Sequence, residues 1–169
     1  MTTLRIFGTA DDSIVDGPGI RFSIFAQGCS HACAGCHNPE ALPFEGGRVV
    51  LVEELMAQIE ANPLLAGITL TGGEPFVQPE PFSKLANWAK AKGLSVWAYS
   101  GYTLEELLVG IPSEEARELL KEVDILVDGR FDEAQKSYEL KWRGSANQRI
   151  IDVPASLAAN EVVELEIHS

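Results

Sequence analysis

Residues 20–36 read IRFSIFAQGCSHACAGC, an apolar run that leads directly into three cysteines. The first half, Ile20–Gln27, is rich in Ile and Phe, which predicts a β-strand. Cys29, Cys33 and Cys36 follow it, and the chain has no other cysteine. The stretch therefore predicts a strand whose carboxyl end opens into a loop of thiol side chains.

After this loop, predicted helices and strands alternate at intervals of about 25 to 30 residues. Apolar periodicity and turn signals predict helices over 52–62, 81–92, 103–109 and 113–121, and strands over 67–71, 94–99, 123–127, 148–153 and 162–167. Such alternation is typical of βαβ units, so we expect an α/β fold with a mainly parallel sheet. A closed eight-stranded barrel takes about 250 residues. The 169 residues of this chain support about five to six βα units in a single domain, residues 1–169.

Polar or metal-binding segments follow four of the predicted strands. They are the cysteine loop, the turn Gly72–Pro75 (GGEP), the segment Ser100–Tyr102, and Asp128. In parallel α/β architectures, functional groups collect at the carboxyl ends of the strands. The sequence therefore predicts one functional site at this edge of the sheet.

The three cysteines lie within eight residues in the pattern C-x3-C-x2-C, which is typical of metal ligands. An odd number of closely spaced thiols is a poor disulfide framework. A structural zinc ion needs four ligands, and His31 or His37 would supply the fourth. An iron–sulfur cubane usually takes four thiolates, so here one iron would keep an open coordination position. A redox pair of Cys33 and Cys36 is the third interpretation, but it gives Cys29 no role.

The charge balance argues against two classes of partner. Thirteen Lys and Arg stand against 25 Asp and Glu, which gives a net charge of −12. Nucleic-acid-binding proteins present a basic surface, and anionic lipids attract basic segments. No apolar run approaches the roughly 20 residues of a membrane span, and residues 1–5 lead into no signal-peptide core. We therefore expect a cytoplasmic protein that binds neither nucleic acid nor membrane.

Together with the GGEP turn, the cysteine spacing resembles that of the radical S-adenosylmethionine (SAM) superfamily. Asp16–Arg21 (DGPGIR) and Cys36–Pro39 (CHNP) resemble the glycyl-radical-enzyme activases within it. Val127–Phe131 (VDGRF) and Trp142–Gln148 (WRGSANQ) are similar to the activases of an anaerobic ribonucleotide reductase. Many superfamily members have an aromatic residue before the last cysteine, whereas Gly35, found here, is frequent in that subgroup.

This resemblance implies a partial, open βα barrel of the radical SAM type. It also implies reductive cleavage of SAM at a [4Fe–4S] cluster to a 5′-deoxyadenosyl radical, which takes a hydrogen atom from a glycine of the target protein. The cluster ligands would be Cys29, Cys33 and Cys36, and the SAM-binding residues would be Gly35, Cys36, His37, Gly72, Gly73, Glu74 and Asp128. Glu74 would accept a hydrogen bond from the SAM ammonium group, and Asp128 would help to hold the SAM carboxylate end. Because these cofactors carry the chemistry, we expect no catalytic side chain of the nucleophile–base type.

The resemblance implies two protein partners, a glycyl-radical enzyme and an electron donor such as reduced flavodoxin. Asp16–Arg21 and Trp142–Gln148 would form the rim that meets the target, with Asp16 and Arg143 as contact residues. Two other interpretations remain. One is an activase of pyruvate formate-lyase or another glycyl-radical enzyme. The other is a zinc-stabilised binding module without catalysis, in which the GGEP turn and Asp128 have no role.

Overall fold

A seven-stranded β-sheet organises the chain, with the strand order β3-β1-β2-β4-β5-β6-β7. The computed structural model describes residues 2–29, 46–137 and 141–165. Its strands are Thr3–Ser13 (β1), Arg21–Ala26 (β2), Arg48–Leu51 (β3), Gly67–Gly72 (β4), Ser95–Tyr99 (β5), Ile125–Asp128 (β6) and Arg149–Asp152 (β7). The α-helices in these residues are Val52–Glu60 (α1), Pro79–Ala91 (α2), Leu104–Leu108 (α3), Glu114–Leu120 (α4) and Val153–Ala159 (α5).

The four central strands run parallel to one another. β2, β4, β5 and β6 pair in that order, with Phe22 opposite Ile68 and Ile68 opposite Val96. The bordering pairs β1–β2, β1–β3 and β6–β7 are antiparallel. The mainly parallel sheet that the sequence predicts is therefore confirmed for the centre, and its borders are antiparallel because β1 and β7 join it without a helical crossover.

Helices and apolar side chains cover one face of this sheet. Successive side chains of a strand point to opposite faces, so Ile68 and Leu70 enter the core while Thr69 points away from it. Every described α-helix contributes buried apolar residues to this core, such as Leu55, Phe82, Leu107, Leu119 and Val153. The opposite side of the sheet, which we call the second face, carries the buried side chains of Arg21, Ser23, Thr69, Trp97, Val127 and Ile150.

The predicted positions of most elements agree with the structure to within about two residues, the usual scatter at helix and strand ends. The sequence analysis assigned no strand to β1, whose apolar residues form no long continuous run, or to β3, which is only four residues long and leads directly into α1. It also missed α5, although Pro154 lies in the first turn and the Asp152 carboxylate accepts a hydrogen bond from Ala155 N at 2.9 Å. In place of the strand expected over 162–167, the described residues form one isolated bridge between Ile151 and Glu164.

None of the helices within residues 2–29, 46–137 and 141–165 has the length and hydropathy that a membrane crossing requires.

Candidate functional site

The carboxyl ends of the four parallel strands meet along one edge of the sheet, which we call the carboxyl edge. Cys29 follows β2, Glu74 follows β4, Ser100 follows β5, and Asp128 ends β6. Because these four strands are neighbours in that order, the four segments singled out from the sequence lie side by side. Their predicted convergence at one edge is confirmed for the residues that the structure describes.

The cysteine loop begins at this edge. Gly28 adopts a φ of 110°, and Cys29 after it is partly exposed. The predicted ligands and SAM contacts in the rest of the loop, Cys33, Gly35, Cys36 and His37, lie outside the described residues. Among described residues, no group of three or more His, Cys, Asp or Glu side chains is arranged to hold a metal ion. The ligand set thus remains a prediction from the cysteine spacing.

The GGEP turn is hydrogen-bonded to the strand end that precedes the cysteine loop. Gly73 N donates to Ala26 O, and Glu74 N donates to Gly28 O, both at 2.7 Å. Gly72 has a φ of 94°, and a Cβ atom at this position would lie 2.4 Å from Ala26 N. Only glycine accommodates both that conformation and that close approach. The turn therefore fixes the position of the backbone just before Cys29.

The Glu74 side chain is fully buried and ties β4 to β5. Its Oε2 atom accepts hydrogen bonds from Ser100 Oγ at 2.8 Å and from Phe76 N at 3.2 Å. Its Oε1 atom accepts from Gly101 N at 2.8 Å. These bonds give Glu74 a structural role that the sequence analysis did not foresee. Its predicted bond to the SAM ammonium group remains a prediction.

Asp128 lies at the end of β6 and is 1% exposed. Arg149 Nε donates to Asp128 Oδ1 at 3.0 Å, and Arg149 Nη2 donates to Oδ2 at 2.5 Å. Leu104 N, at the start of α3, also donates to Oδ2 at 2.8 Å. The hydrogen bonds that Arg149 donates to Asp128 and to the exposed Glu105 raise the pKa of Arg149, so the guanidinium stays charged. The predicted SAM-binding residue is therefore the buried half of an ion pair whose guanidinium is partly exposed.

Sequence reasoning did not find Arg149. It reaches Asp128 because the antiparallel pairing of β6 and β7 places the two residues directly opposite each other. That register depends on pairing between residues far apart in the sequence, and no local sequence signal predicts it.

Asp16 lies on the second face of the sheet and is partly exposed. Its Oδ2 atom accepts hydrogen bonds from Ser13 Oγ at 2.8 Å and from Ser23 Oγ at 3.0 Å. Its backbone oxygen accepts from Thr69 Oγ1 at 2.7 Å. The carboxylate is thus held in place beside the central strands, as a contact residue would need, and its contact with a partner remains a prediction.

The Arg21 side chain is completely buried, so the rim predicted over Asp16–Arg21 does not include it. Its nitrogen atoms donate to Thr69 Oγ1, Pro18 O, Ser95 Oγ, Ile68 O and Ser95 O over 2.7–3.1 Å. Burial lowers its pKa to about 10. Arg21 therefore links the turn around Pro18 to β4 and β5 through these hydrogen bonds.

The segment Trp142–Gln148 is held together by its last residue. Gln148 Oε1 accepts from Gly144 N at 2.9 Å, and Gln148 Nε2 donates to Gly129 O at 3.0 Å. Arg143 Nη1 donates to Gln148 O at 3.1 Å. Arg143 Nε is buried without a hydrogen-bond partner among the residues that the structure describes. The segment is thereby attached to the end of β6, and contact of Arg143 with a partner protein remains a prediction.

Tyr99 is a residue of the second face that the sequence analysis did not single out. Burial raises its pKa, the nearby Asp16 carboxylate raises it further, and the positive charge of Arg21 opposes this. The phenol therefore keeps its proton to a higher pH than an ordinary tyrosine does. The period-two pattern of β5, which places Trp97 and Tyr99 on one face, is the signal that would have found it.

Comparison with known proteins identifies the class. The chain matches the family described as "4Fe-4S single cluster domain" over residues 15–151, which is most of its length. The chain therefore belongs to this family of iron–sulfur proteins.

Curated relatives narrow the class further. The anaerobic ribonucleoside-triphosphate reductase-activating protein of Haemophilus influenzae is 35% identical over 147 residues, which cover 81% of this chain and 90% of that protein. Its counterpart in Enterobacteria phage T4 is 34% identical over 143 residues, with 80% and 86% covered. That of Escherichia coli K12 is 31% identical over 144 residues, with 80% and 90% covered. Among iron–sulfur proteins, the chain is thus a member of the anaerobic ribonucleoside-triphosphate reductase-activating protein family.

A solved structure, that of QueE from Escherichia coli, aligns with a TM-score of 0.46 and 18% identity. The alignment covers 60% of this chain and 54% of that one.

The described part of the carboxyl edge fits an iron–sulfur cluster with an organic ligand beside it. Cys29 is partly exposed there and supplies sulfur, the donor that such clusters require. Glu74 and Ser100 are held in place by a hydrogen bond within the protein. Preorganised polar groups of this kind lower the cost of binding a ligand.

Proposed function

We propose that this chain is the activating enzyme of an anaerobic ribonucleoside-triphosphate reductase. It cleaves SAM reductively at a [4Fe–4S] cluster and so generates a glycyl radical on the reductase. The observation that carries the proposal is the carboxyl edge, where Cys29, the GGEP turn, Ser100 and Asp128 follow four adjacent parallel strands.

In this proposal, each site residue is assigned to the cluster or to SAM. When bound, the cluster and SAM supply one-electron cleavage of the sulfonium to methionine and a 5′-deoxyadenosyl radical, which removes a hydrogen atom from a glycine of the reductase. The cluster ligands in this proposal are Cys29, Cys33 and Cys36, and the SAM-binding residues are Gly35, Cys36, His37, Gly72, Gly73, Glu74 and Asp128.

The described residues orient the bound molecules. The Glu74 carboxylate holds the loop after β5 against the turn after β4, so the two segments present one fixed surface. Asp128 is neutralised by Arg149, so the SAM carboxylate end meets an ion pair instead of a lone carboxylate. The apolar core beneath the sheet, including the fully buried Phe76, excludes water from this side of the edge.

An open, partial βα barrel of the radical SAM type is part of the proposal. Four parallel strands form its wall, and the segments Asp16–Arg21 and Trp142–Gln148 lie against the second face of that wall. A glycine-bearing loop of the reductase completes the enclosure and protects the radical from solvent. Asp16 and Arg143 contact that loop.

The remaining parts of the proposal concern the surroundings of the enzyme. A reduced flavodoxin or a donor of similar potential supplies the electron, and the reaction takes place in the cytoplasm. The net charge of −12 supports the expectation that neither nucleic acid nor an anionic membrane is a partner.

Anaerobic reconstitution followed by electron paramagnetic resonance tests the proposed function. The protein is incubated with iron, sulfide, dithionite and SAM, and then with its anaerobic reductase or with pyruvate formate-lyase. We expect about four iron atoms per chain and a glycyl radical on the reductase. Cys29→Ala, Cys33→Ala and Cys36→Ala serve as matched controls, and each should abolish cluster assembly. One zinc ion in place of iron would overturn the proposal, and a radical on pyruvate formate-lyase alone would reassign the target.

A further inference from the structure

Trp97 of β5 lies between the two segments that the proposed function assigns to reductase docking. It is 4% exposed and packs with Val127 and Ile150 on the second face. We call residues Asp16–Arg21 the Asp16 turn and residues Trp142–Gln148 the Trp142 segment. These two segments are more than a hundred residues apart in sequence, yet each contacts the same indole ring.

The Asp16 turn contacts Trp97 through Gly17 and Arg21. The guanidinium carbon of Arg21 lies 5.8 Å from the centre of the Trp97 ring. Gly17 has a φ of 124°, and a Cβ atom there would lie 3.1 Å from Trp97 Cδ2 and 3.0 Å from Arg21 Cδ. The backbone next to Asp16 therefore lies close to the Trp97 ring, and a methyl group at position 17 would press against that ring.

The Trp142 segment contacts Trp97 through Trp142. The two rings meet edge to face, with centres 5.1 Å apart and an angle of 76° between their planes. Trp142 has a φ of 61°, in the left-handed region that bulky residues rarely occupy. Such a conformation persists only where its surroundings hold it. Here the Trp142 ring packs against the cluster of Trp97, Val127 and Ile150, and Lys141 Nζ lies 4.7 Å from its centre.

We infer that Trp97 is a positioning residue that couples the Asp16 turn to the Trp142 segment, so that the reductase reads the two as one docking surface. This inference rests on the proposed function. Residues that share a packed partner respond to substitution together, whereas independent residues do not. Loss of contact at Asp16 therefore also weakens the contact at Arg143, and Trp97 carries this dependence.

A double-mutant cycle on binding of the reductase tests the inference. The dissociation constant of the reconstituted protein and its reductase is measured for Asp16→Ala, Arg143→Ala and the double variant. Each single substitution should raise the dissociation constant roughly tenfold. The double variant should raise it by much less than the product of the two single effects. In the Trp97→Leu background, the two effects should multiply. SAM affinity, measured in parallel, should be unchanged by Trp97→Leu.

Two further variants separate coupling from mere loss of stability. Trp88→Leu removes a tryptophan of α2 that lies beside Lys92 and away from the second face, and it should leave the coupling as it is. Gly17→Ala places a methyl group against Trp97 from the side of the turn, and it should abolish the coupling as Trp97→Leu does. The inference can therefore be tested with Gly17→Ala if Trp97→Leu fails to fold. Trp97→Phe keeps an aromatic edge for Trp142 and should restore part of the coupling.

The outcomes distinguish this inference from the proposed function. Absence of reductase binding by the unmodified protein would overturn the proposed function. Two results would leave that function intact and overturn the inference. In the first, the losses of affinity caused by Asp16→Ala and Arg143→Ala multiply although Trp97 is present. In the second, the two losses remain coupled in Trp97→Leu and in Gly17→Ala.

Discussion

The buried carboxylate of Glu74 accepts a hydrogen bond from the hydroxyl of Ser100 at 2.8 Å, and this bond joins the carboxyl ends of β4 and β5. Gly101 N and Phe76 N donate to the same carboxylate. Glu74 thus serves the architecture of the edge as well as its proposed ligand.

We expect Glu74→Ala to change two quantities. Loss of a buried carboxylate that accepts hydrogen bonds from Ser100, Gly101 and Phe76 should lower the free energy of unfolding by about 3 kcal/mol, as measured by urea titration. Loss of the bond to the SAM ammonium should weaken SAM binding by roughly ten- to a hundredfold, as measured by equilibrium dialysis. Ser100→Ala is the matched control, since it removes one of the three donors and keeps the carboxylate. Unchanged SAM affinity in Glu74→Ala would restrict Glu74 to its structural role.

The steric requirement at Gly72 is separable from its backbone conformation. Gly93 has a similar φ of 83°, but no atom lies within 4 Å of the Cβ it would gain. Gly93→Ala should therefore cost only the left-handed conformation, about 1 kcal/mol. Gly72→Ala adds a clash with the backbone of β2 and should cost clearly more. Urea unfolding of the two variants makes the comparison, and equal losses would mean that β2 moves aside easily.

The meeting of Cys29, the GGEP turn, Ser100 and Asp128 at one edge could be predicted because its signals are local. The apolar runs before Cys29, Gly72 and Asp128 mark strand ends, and parallel strands bring such ends together. The antiparallel borders could not be predicted in this way, since β1 forms through pairing on both sides and not through a continuous apolar run. The same holds for the site, where the partner of Asp128 depends on the register of β7.

The ion pair of Asp128 and Arg149 should contribute measurably to stability. Arg149→Met leaves a buried carboxylate with Leu104 N as its remaining donor among those described above, and it should lower the free energy of unfolding by about 3 kcal/mol. Lys121→Met breaks the exposed pair with Glu118 and should change it by less than about 1 kcal/mol. The additional substitution Asp128→Asn should recover part of the loss in Arg149→Met. If Arg149→Met proved as mild as the control, solvent would have to reach Asp128.

Alkaline pH should reveal the environment of Tyr99. Its pKa is raised above the ordinary value of 10.0, so above that pH the unfolded chain releases the phenolic proton while the folded protein retains it. The folded state then binds more protons, and its free energy of unfolding falls as the pH rises. We expect a steeper fall above about pH 10 in the unmodified protein than in Tyr99→Phe, by urea titration. Parallel curves would show that the phenol ionises equally in both states.

We expect the antiparallel hairpin of β1 and β2 to form before the parallel pairs at the centre of the sheet. Ile6 faces Ala26 across the hairpin, 20 residues away, whereas β2 and β4 pair residues such as Arg21 and Gly67, which are 46 apart. Contacts between nearby residues close smaller loops and form sooner. Ile6→Val should therefore slow refolding more, relative to its effect on stability, than Ile68→Val in β4, whose partners Phe22 and Val96 lie 46 and 28 residues away. Stopped-flow refolding measures this, and equal ratios would mean that the hairpin and the parallel pairs assemble together. On this view, the strand that leads into Cys29 gains its first neighbour before the rest of the site forms.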